Sequence, residues 1–245
     1  LYLLKISHVA NRLQLPQLLL TNKKKSMEAV ISADIIGYTK LGEEQQNVVL
    51  IEIKKLFESI EGVRDNLENN FKIYRGDSVQ VEIKNPKEAL KIGLLLKAAV
   101  TQITFETDSY KRKRPIIDIR MAIGLGNITN KRSLVDESMG RAYSHSGRTL
   151  DEMKREKTIF TLKSDTIALD EELNVAFKLL DEILLSWNIT SAELMYCLLM
   201  GMTEKEIAFK LNISQSAVNQ RKKRAGWYGI EALLERYEIL IGREL

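Results

Sequence analysis

The sequence predicts an α+β protein, a ferredoxin-like or palm sandwich followed by an all-α helix-turn-helix domain. Three observations carry this reading. After Met27 the hydrophobic periodicities run in the order β-α-β-β-α-β. Gly76-Asp77 hinges two short strand patterns, a hairpin signal. After Asn188 every segment has helical spacing.

In chain order, Ala29 to Ile36 is a nearly continuous Val/Ile-rich apolar run, the pattern of a buried strand. Glu43 to Asn69 carries Val48, Val49, Ile51, Leu56, Phe57, Ile60, Val63 and Leu67 at helical spacing. Phe71 to Arg75 and Ser78 to Ile83 form the hairpin, which sheet topology sets beside the first strand. Pro86 sits where a helix can start, and Ala89 to Ile103 is a mostly apolar helix. From Ile116 to Leu125, Ile117, Ile119, Met121 and Ile123 alternate with Asp118 and Arg120, so one strand face is buried. A helix around Ser138 to Arg155 and a strand near Thr158 to Leu162 complete a domain over 27–164. Asp165 to Trp187 is an acidic amphipathic connecting helix (165–188) with no Pro or Gly to loosen it. Helices over Ser191 to Met200, Thr203 to Leu211, Ser214 to Ala225 and Ile230 to Ile241 make up 189–245.

The 245 residues are 44% hydrophobic and 29% charged, which excludes collagen-like and disordered classes. One cysteine, Cys197, excludes a disulfide-stapled fold and fits a reducing, cytoplasmic compartment. No apolar run is long enough to span a bilayer, so no membrane partner is expected. The formal charge of +4 is unevenly placed. Residues 1–26 hold five basic side chains and no acid, leaving 32 Lys+Arg against 33 Asp+Glu in the rest. We read 1–26 as a leader or extension outside the fold, with a basic arm or amphipathic helix as the alternative.

The segment MTEKEIAFKLNISQSAVNQRKKRAGW has the offsets of a helix-turn-helix. Thr203 and Glu206 can form a capping box, Ala208 permits a close crossing, and Asn212 occupies the turn. Ser214 caps a second helix whose core contact is Val218. Its amides Gln215, Asn219 and Gln220, with Ser216, suit base edges, and Arg221, Lys222, Lys223 and Arg224 suit phosphates. No acid lies between Glu206 and Glu231, so double-stranded DNA is the expected partner; a protein-binding module of the same shape is the alternative.

Asp34 lies in an apolar strand and Asp77 at the hairpin tip, so the topology brings two carboxylates together. Such a pair needs a cation, and Mg²⁺ with nucleotide phosphates supplies one. The backbone of Ile35, Ile36 and Gly37 turns after Asp34 and can offer amides to phosphates. The alternative is that Asp77 serves the turn while Asp34 caps a helix or pairs with an arginine.

The motifs SADIIGYTKL, YRGDSVQV, IRMAIGLGNI and ESMGRAYSHSGRTLDEM resemble class III nucleotidyl cyclase domains. The resemblance implies Asp34 and Asp77 as metal ligands and Arg148, eight residues after Gly140, as a phosphate or transition-state contact. The chain departs from that pattern where the family has an asparagine (Ser144 here), a base-reading lysine (Ile73, with Lys72 one place off) and an acidic base reader (at best Glu137 or Asp136). From Met27 onward, SADIIG, RGDS, MGRAY and LNISQSAVNQRKKRAGW resemble the SatD family, which joins a cyclase-like palm to a helix-turn-helix. This implies a DNA-binding transcriptional regulator whose palm senses a metal-nucleotide or dimerises; the alternative is a Mg-dependent nucleotidyl cyclase or transferase with an appended partner module. A homodimer is expected from either part.

Lesser features read as structure: Lys111 to Arg114 as a solvated basic loop, His145 as packing or surface, Cys197 as core, and Trp187 and Trp227 as packing anchors.

Overall fold

A computed structural model describes residues 27–60, 63, 70–74, 76–105, 114–129, 139–156 and 158–245. The expected leader, the 64–69 end of the first helix, Arg75, Lys111 to Lys113, Asp136, Glu137 and Ser138 lie outside the described residues.

The sheet is built from β1 (Glu28–Ile36), β2 (Phe71–Tyr74), β3 (Ser78–Ile83), β4 (Asp118–Gly126) and β7 (Phe160–Lys163). Its order is β2-β3-β1-β4-β7. The first four strands are antiparallel neighbours, with the hairpin strands side by side and β1 next to them as the expected topology places them. β7 then joins parallel to β4. Such a pairing needs a crossover, and α3 (Arg141–Glu156) provides it. The two-residue strands β5 (Ile128–Thr129) and β6 (Met139–Gly140) pair beside it.

Register assigns the two faces of β1. Ala29, Ile31, Ala33 and Ile35 stand beside Ile83, Val81 and Val79 on one side and Leu125, Ile123, Met121 and Ile119 on the other. This face is wholly apolar and buried under α1 (Glu43–Ser59) and α2 (Ala89–Thr101). The opposite face carries Ser32 and Asp34 with Gln80, Ser78, Ala122 and Arg120. α3 covers part of it at very short range. A Cβ on Gly124 would stand 2.1 Å from the Ala142 carbonyl oxygen and 2.4 Å from the Ser146 nitrogen, so only glycine fits.

The C-terminal helices are α4 (Ile167–Leu185), α5 (Ile189–Leu199), α6 (Glu204–Lys210), α7 (Gln215–Arg224) and α8 (Trp227–Glu244). α8 starts earlier than its apolar spacing indicates, because Gly226 adopts φ 75° and turns the chain directly into it. The expected connecting helix, α4, is docked on the sheet edge by side-chain to backbone bonds. The Asp181 carboxylate accepts from the Ile159 and Phe160 amides at 2.9 Å each, and Asn174 Oδ1 accepts from the Leu162 amide at 2.8 Å. Burial pushes the Asp181 carboxyl above its ordinary value, although the two amides oppose the shift.

One apolar core runs from the sheet through α1 and α2 to α4, α5 and α8. α2 is buried along almost its whole length, with the sheet on one side and α5 on another. Tyr237 of α8 donates a 3.1 Å hydrogen bond to the Pro86 carbonyl just before α2. A smaller cluster of Leu194, Cys197, Ile207 and Val218 lies under α6 and α7. Among the described residues, no helix is long and apolar enough to cross a membrane.

Candidate functional site

The polar face of the sheet ends in a cavity of about 630 Å³. It is lined by Asp34, Ile35, Ile36, Gly37, Tyr74, Asp77, Ser78, Arg120 and Lys154. Three local features shape it. Gly37, at φ 88°, swings the chain out of β1 into a short helical turn. Tyr38 in that turn lies over the hairpin tip, so close that a Cβ on Gly76 would stand 2.9 Å from its ring. The Ile35 amide donates to the Asp77 carbonyl at 2.7 Å, locking the tip to the strand.

The electrostatics are balanced. Asp34 and Asp77 bring two negative charges, and Arg120 and Lys154 two positive ones. Arg120 reaches the cavity because it is the direct β4 neighbour of Asp34. Its Nε is buried and has no hydrogen-bond partner among the described residues. Lys154, near the end of α3, places Nζ 3.0 Å from Asp34 Oδ2. That contact, together with Asp151, holds the ammonium above the ordinary lysine value, against a smaller opposing effect of burial. The Tyr38 phenol is also pushed up, by burial first and by the Asp77 charge second.

Asp34 and Asp77 thus line a single cavity, and Asp34 already has a cationic partner, a lysine where the sequence alternative named an arginine. Ile35 to Gly37 line the cavity too, but the Ile35 amide is engaged by Asp77 and is closed to a phosphate. Arg148 is exposed on α3 and is not among the lining residues. Arg120 and Lys154 were not singled out from the sequence as site residues. The alternation in β4 places Arg120 off the buried face, and the strand order makes β4 a neighbour of β1, but its pairing with Asp34 is set by a register the sequence leaves open. No sequence pattern places Lys154, because its position depends on how α3 crosses the sheet.

Behind the cavity the polar face continues as a chain of hydrogen bonds. Tyr74 Oη donates to Gln80 Oε1 at 3.3 Å, Gln80 Nε2 to Ser32 Oγ at 3.2 Å, and Ser32 Oγ to Ser146 Oγ at 2.9 Å. Lys72 is on this face, paired in register with Gln80, whereas Ile73 faces the apolar core. Ser144 is exposed on α3. His145 places Nδ1 2.7 Å from the Leu125 carbonyl oxygen, a packing role. Among the described residues, no group of three or more His, Cys, Asp and Glu side chains gathers as a metal site.

The α6–α7 hairpin has its expected caps. Thr203 and Glu206 form the reciprocal capping box, the Ser214 hydroxyl accepts from the Ala217 amide at 3.1 Å, and Asn212 takes φ 49° in the turn. Gln215, Ser216, Asn219, Gln220, Lys223 and Arg224 are exposed, and Arg221 is half-buried. Two of the expected DNA contacts are engaged within the chain. Lys222 donates to Glu204 at 2.7 Å and lies over the Tyr228 ring, and Asn219 donates to the other Glu204 oxygen at 3.2 Å.

No family model and no curated protein matches the chain. Solved structures similar to it include a bacterial light-regulated adenylyl cyclase, 13% identical, covering 56% of this chain and 75% of that one at a TM-score of 0.38. Another is the adenylyl cyclase CyaB from P. aeruginosa, 17% identical, covering 51% and 71% at a TM-score of 0.35. The SatD resemblance has no counterpart among these matches.

Proposed function

We propose that this chain binds a divalent metal with a nucleoside polyphosphate in the Asp34–Asp77 cavity, and that any reaction there is nucleotidyl cyclase or transferase chemistry. The observation that carries the reading is the convergence of two carboxylates and two cations on one cavity at the end of a sheet. Carboxylate oxygens are the donors that Mg²⁺ prefers, and it commonly completes its shell with water and substrate phosphates. A two-carboxylate set therefore suits a metal that arrives with a phosphate ligand. Asp34 and Asp77 would hold the ion, and Arg120 and Lys154 would face the phosphates. When bound, the metal supplies charge neutralisation at the phosphate oxygens. Arg148 is exposed and does not line this cavity, so it has no part in the metal-phosphate set proposed here.

Calorimetry with Mg²⁺ and each nucleoside triphosphate tests the reading. Binding lost in both Asp34→Ala and Asp77→Ala is the expected result, and binding indifferent to both sinks it. Chromatography of the reaction mixture for a cyclic or transferred product separates enzyme from sensor.

A second reading, DNA recognition by α7 as in a transcriptional regulator, is supported by one feature. Gln215, Ser216, Gln220, Lys223 and Arg224 form an exposed face. Duplex binding in a gel shift should weaken as salt rises and should fall in Lys223→Ala/Arg224→Ala. No change in that double variant defeats this reading.

A further inference from the structure

We propose that Lys154 is an internal counter-ion that makes metal and polyphosphate binding mutually dependent. The inference rests on the metal-nucleotide reading of the same cavity. It starts from an asymmetry in one ion pair. The Asp34 side chain is 18% exposed and fixed on a central strand, whereas the Lys154 side chain is 48% exposed on the last turns of α3. The carboxylate stays where the sheet puts it. The ammonium sits on a flexible four-carbon stem that is half in solvent and can swing away from the sheet.

With Lys154 in place the cavity's two acids are balanced by two bases. A bare divalent cation arriving at Asp34 meets a carboxylate that is already compensated, and has to displace the ammonium. A polyphosphate attracts the ammonium away. Arg120 cannot follow in the same way, since it is anchored on β4 with its Nε buried. Once Lys154 has turned to phosphate, Asp34 has lost its ion-pair partner, the two acids are left with Arg120 alone, and the cavity gains affinity for a divalent ion. Linkage makes the effect reciprocal, so the metal raises polyphosphate affinity by the same factor. Asp151, 3.3 Å from Nζ on the same helix, gives the ammonium a second contact on the solvent side.

Neutralising Lys154 should therefore move the two affinities in opposite directions. Mn²⁺ binding alone is followed by the electron paramagnetic resonance of the free ion, and metal-free binding of N-methylanthraniloyl ATP and GTP by fluorescence in EDTA. In Lys154→Gln, Mn²⁺ should bind about 5- to 10-fold tighter and the nucleotide about 5- to 10-fold weaker, within the usual range of coupling between sites. Lys154→Arg keeps the positive charge and should lack the opposed shifts of the two affinities seen in Lys154→Gln. Local damage would weaken both ligands, so joint weakening in Lys154→Gln overturns the proposal. So does unchanged Mn²⁺ affinity while Asp34→Asn still abolishes Mn²⁺ binding; in that case the metal-nucleotide reading survives and the counter-ion role alone falls. Mn²⁺ binding indifferent to both Asp34→Asn and Asp77→Asn overturns the underlying reading and the inference with it.

Discussion

On one side of β1, Ala29, Ile31, Ala33 and Ile35 look into a core shared with α1 and α2; on the other, Ser32 and Asp34 look onto hydroxyls, amides and charges. The first face is secured by many interchangeable contacts, because apolar burial is non-directional. The second depends on single atoms: one serine hydroxyl, one lysine ammonium, one glycine without a Cβ. A substitution on the apolar face should cost stability and spare the cavity's chemistry. One on the polar face should do the reverse, except where backbone approaches backbone.

That exception gives the largest expected effect. Gly124→Ala drives a methyl into the Ala142 carbonyl and the Ser146 amide, neither of which can step aside without moving α3. We expect a loss of about 4 kcal/mol or more in urea denaturation, in the exceptional range for a point mutant. Gly93→Ala, whose Cβ would meet the Phe160 ring at 2.7 Å, has a side chain to push instead. It should cost about 1 to 3 kcal/mol, as overpacking usually does.

Next comes Ile31→Ala on the fully buried apolar face. A loss of about 2 to 5 kcal/mol is expected, with nucleotide affinity in the folded fraction unchanged. A large affinity change at full folding would show that the two faces are not separable. Asp181→Ala removes the acceptor of two buried strand amides and should cost about 2 to 4 kcal/mol. Because burial raises this carboxyl, the folded state keeps its proton to higher pH than the unfolded state does. Its contribution to stability is therefore full at acid pH and declines as pH rises from the ordinary aspartate range through the raised folded value. Asp181→Asn should remove that decline from urea midpoints measured across the window.

The smallest effects belong to the polar face. Ser32→Ala breaks a buried link between Gln80 and Ser146 and should cost about 1 kcal/mol. Lys154→Gln, with a half-exposed side chain, should change stability by less than about 1 kcal/mol while changing ligand affinity. If both variants cost as much as Ile31→Ala, the contrast between the faces fails.

The same contrast explains what could be read from the sequence. The apolar face was legible in part, from the continuous apolar run of β1 and the alternation in β4, and the hairpin from its Gly76-Asp77 hinge. Asp34 and Asp77 were legible as lone acids in apolar or glycine contexts. Arg120 was legible as off the buried face, and its pairing with Asp34 was not. Lys154 was not legible, since a helix crossing angle has no local code. Nor was the docking of α4, which an acidic amphipathic pattern presents as a linker. Asp181, Asn174 and Asp170 look like its solvent face, yet Asp181 and Asn174 bond the β7 backbone and Asp170 the Ser164 amide just beyond it. The reading of Asn219 as a base contact and Lys222 as a phosphate contact takes no account of a competing neighbour, Glu204, 15 and 18 residues away in sequence.

The position of α2 also governs how the chain comes apart. A helix with the sheet on one side and α5 on another cannot release its amides until both have let go. Its amide protons should therefore be among the last to exchange with deuterated solvent. Severing the chain near Asn188 would strip the cover from Leu95, Ala99 and their neighbours and leave an aggregating fragment, so genetic truncation is a poor way to isolate the cavity for study.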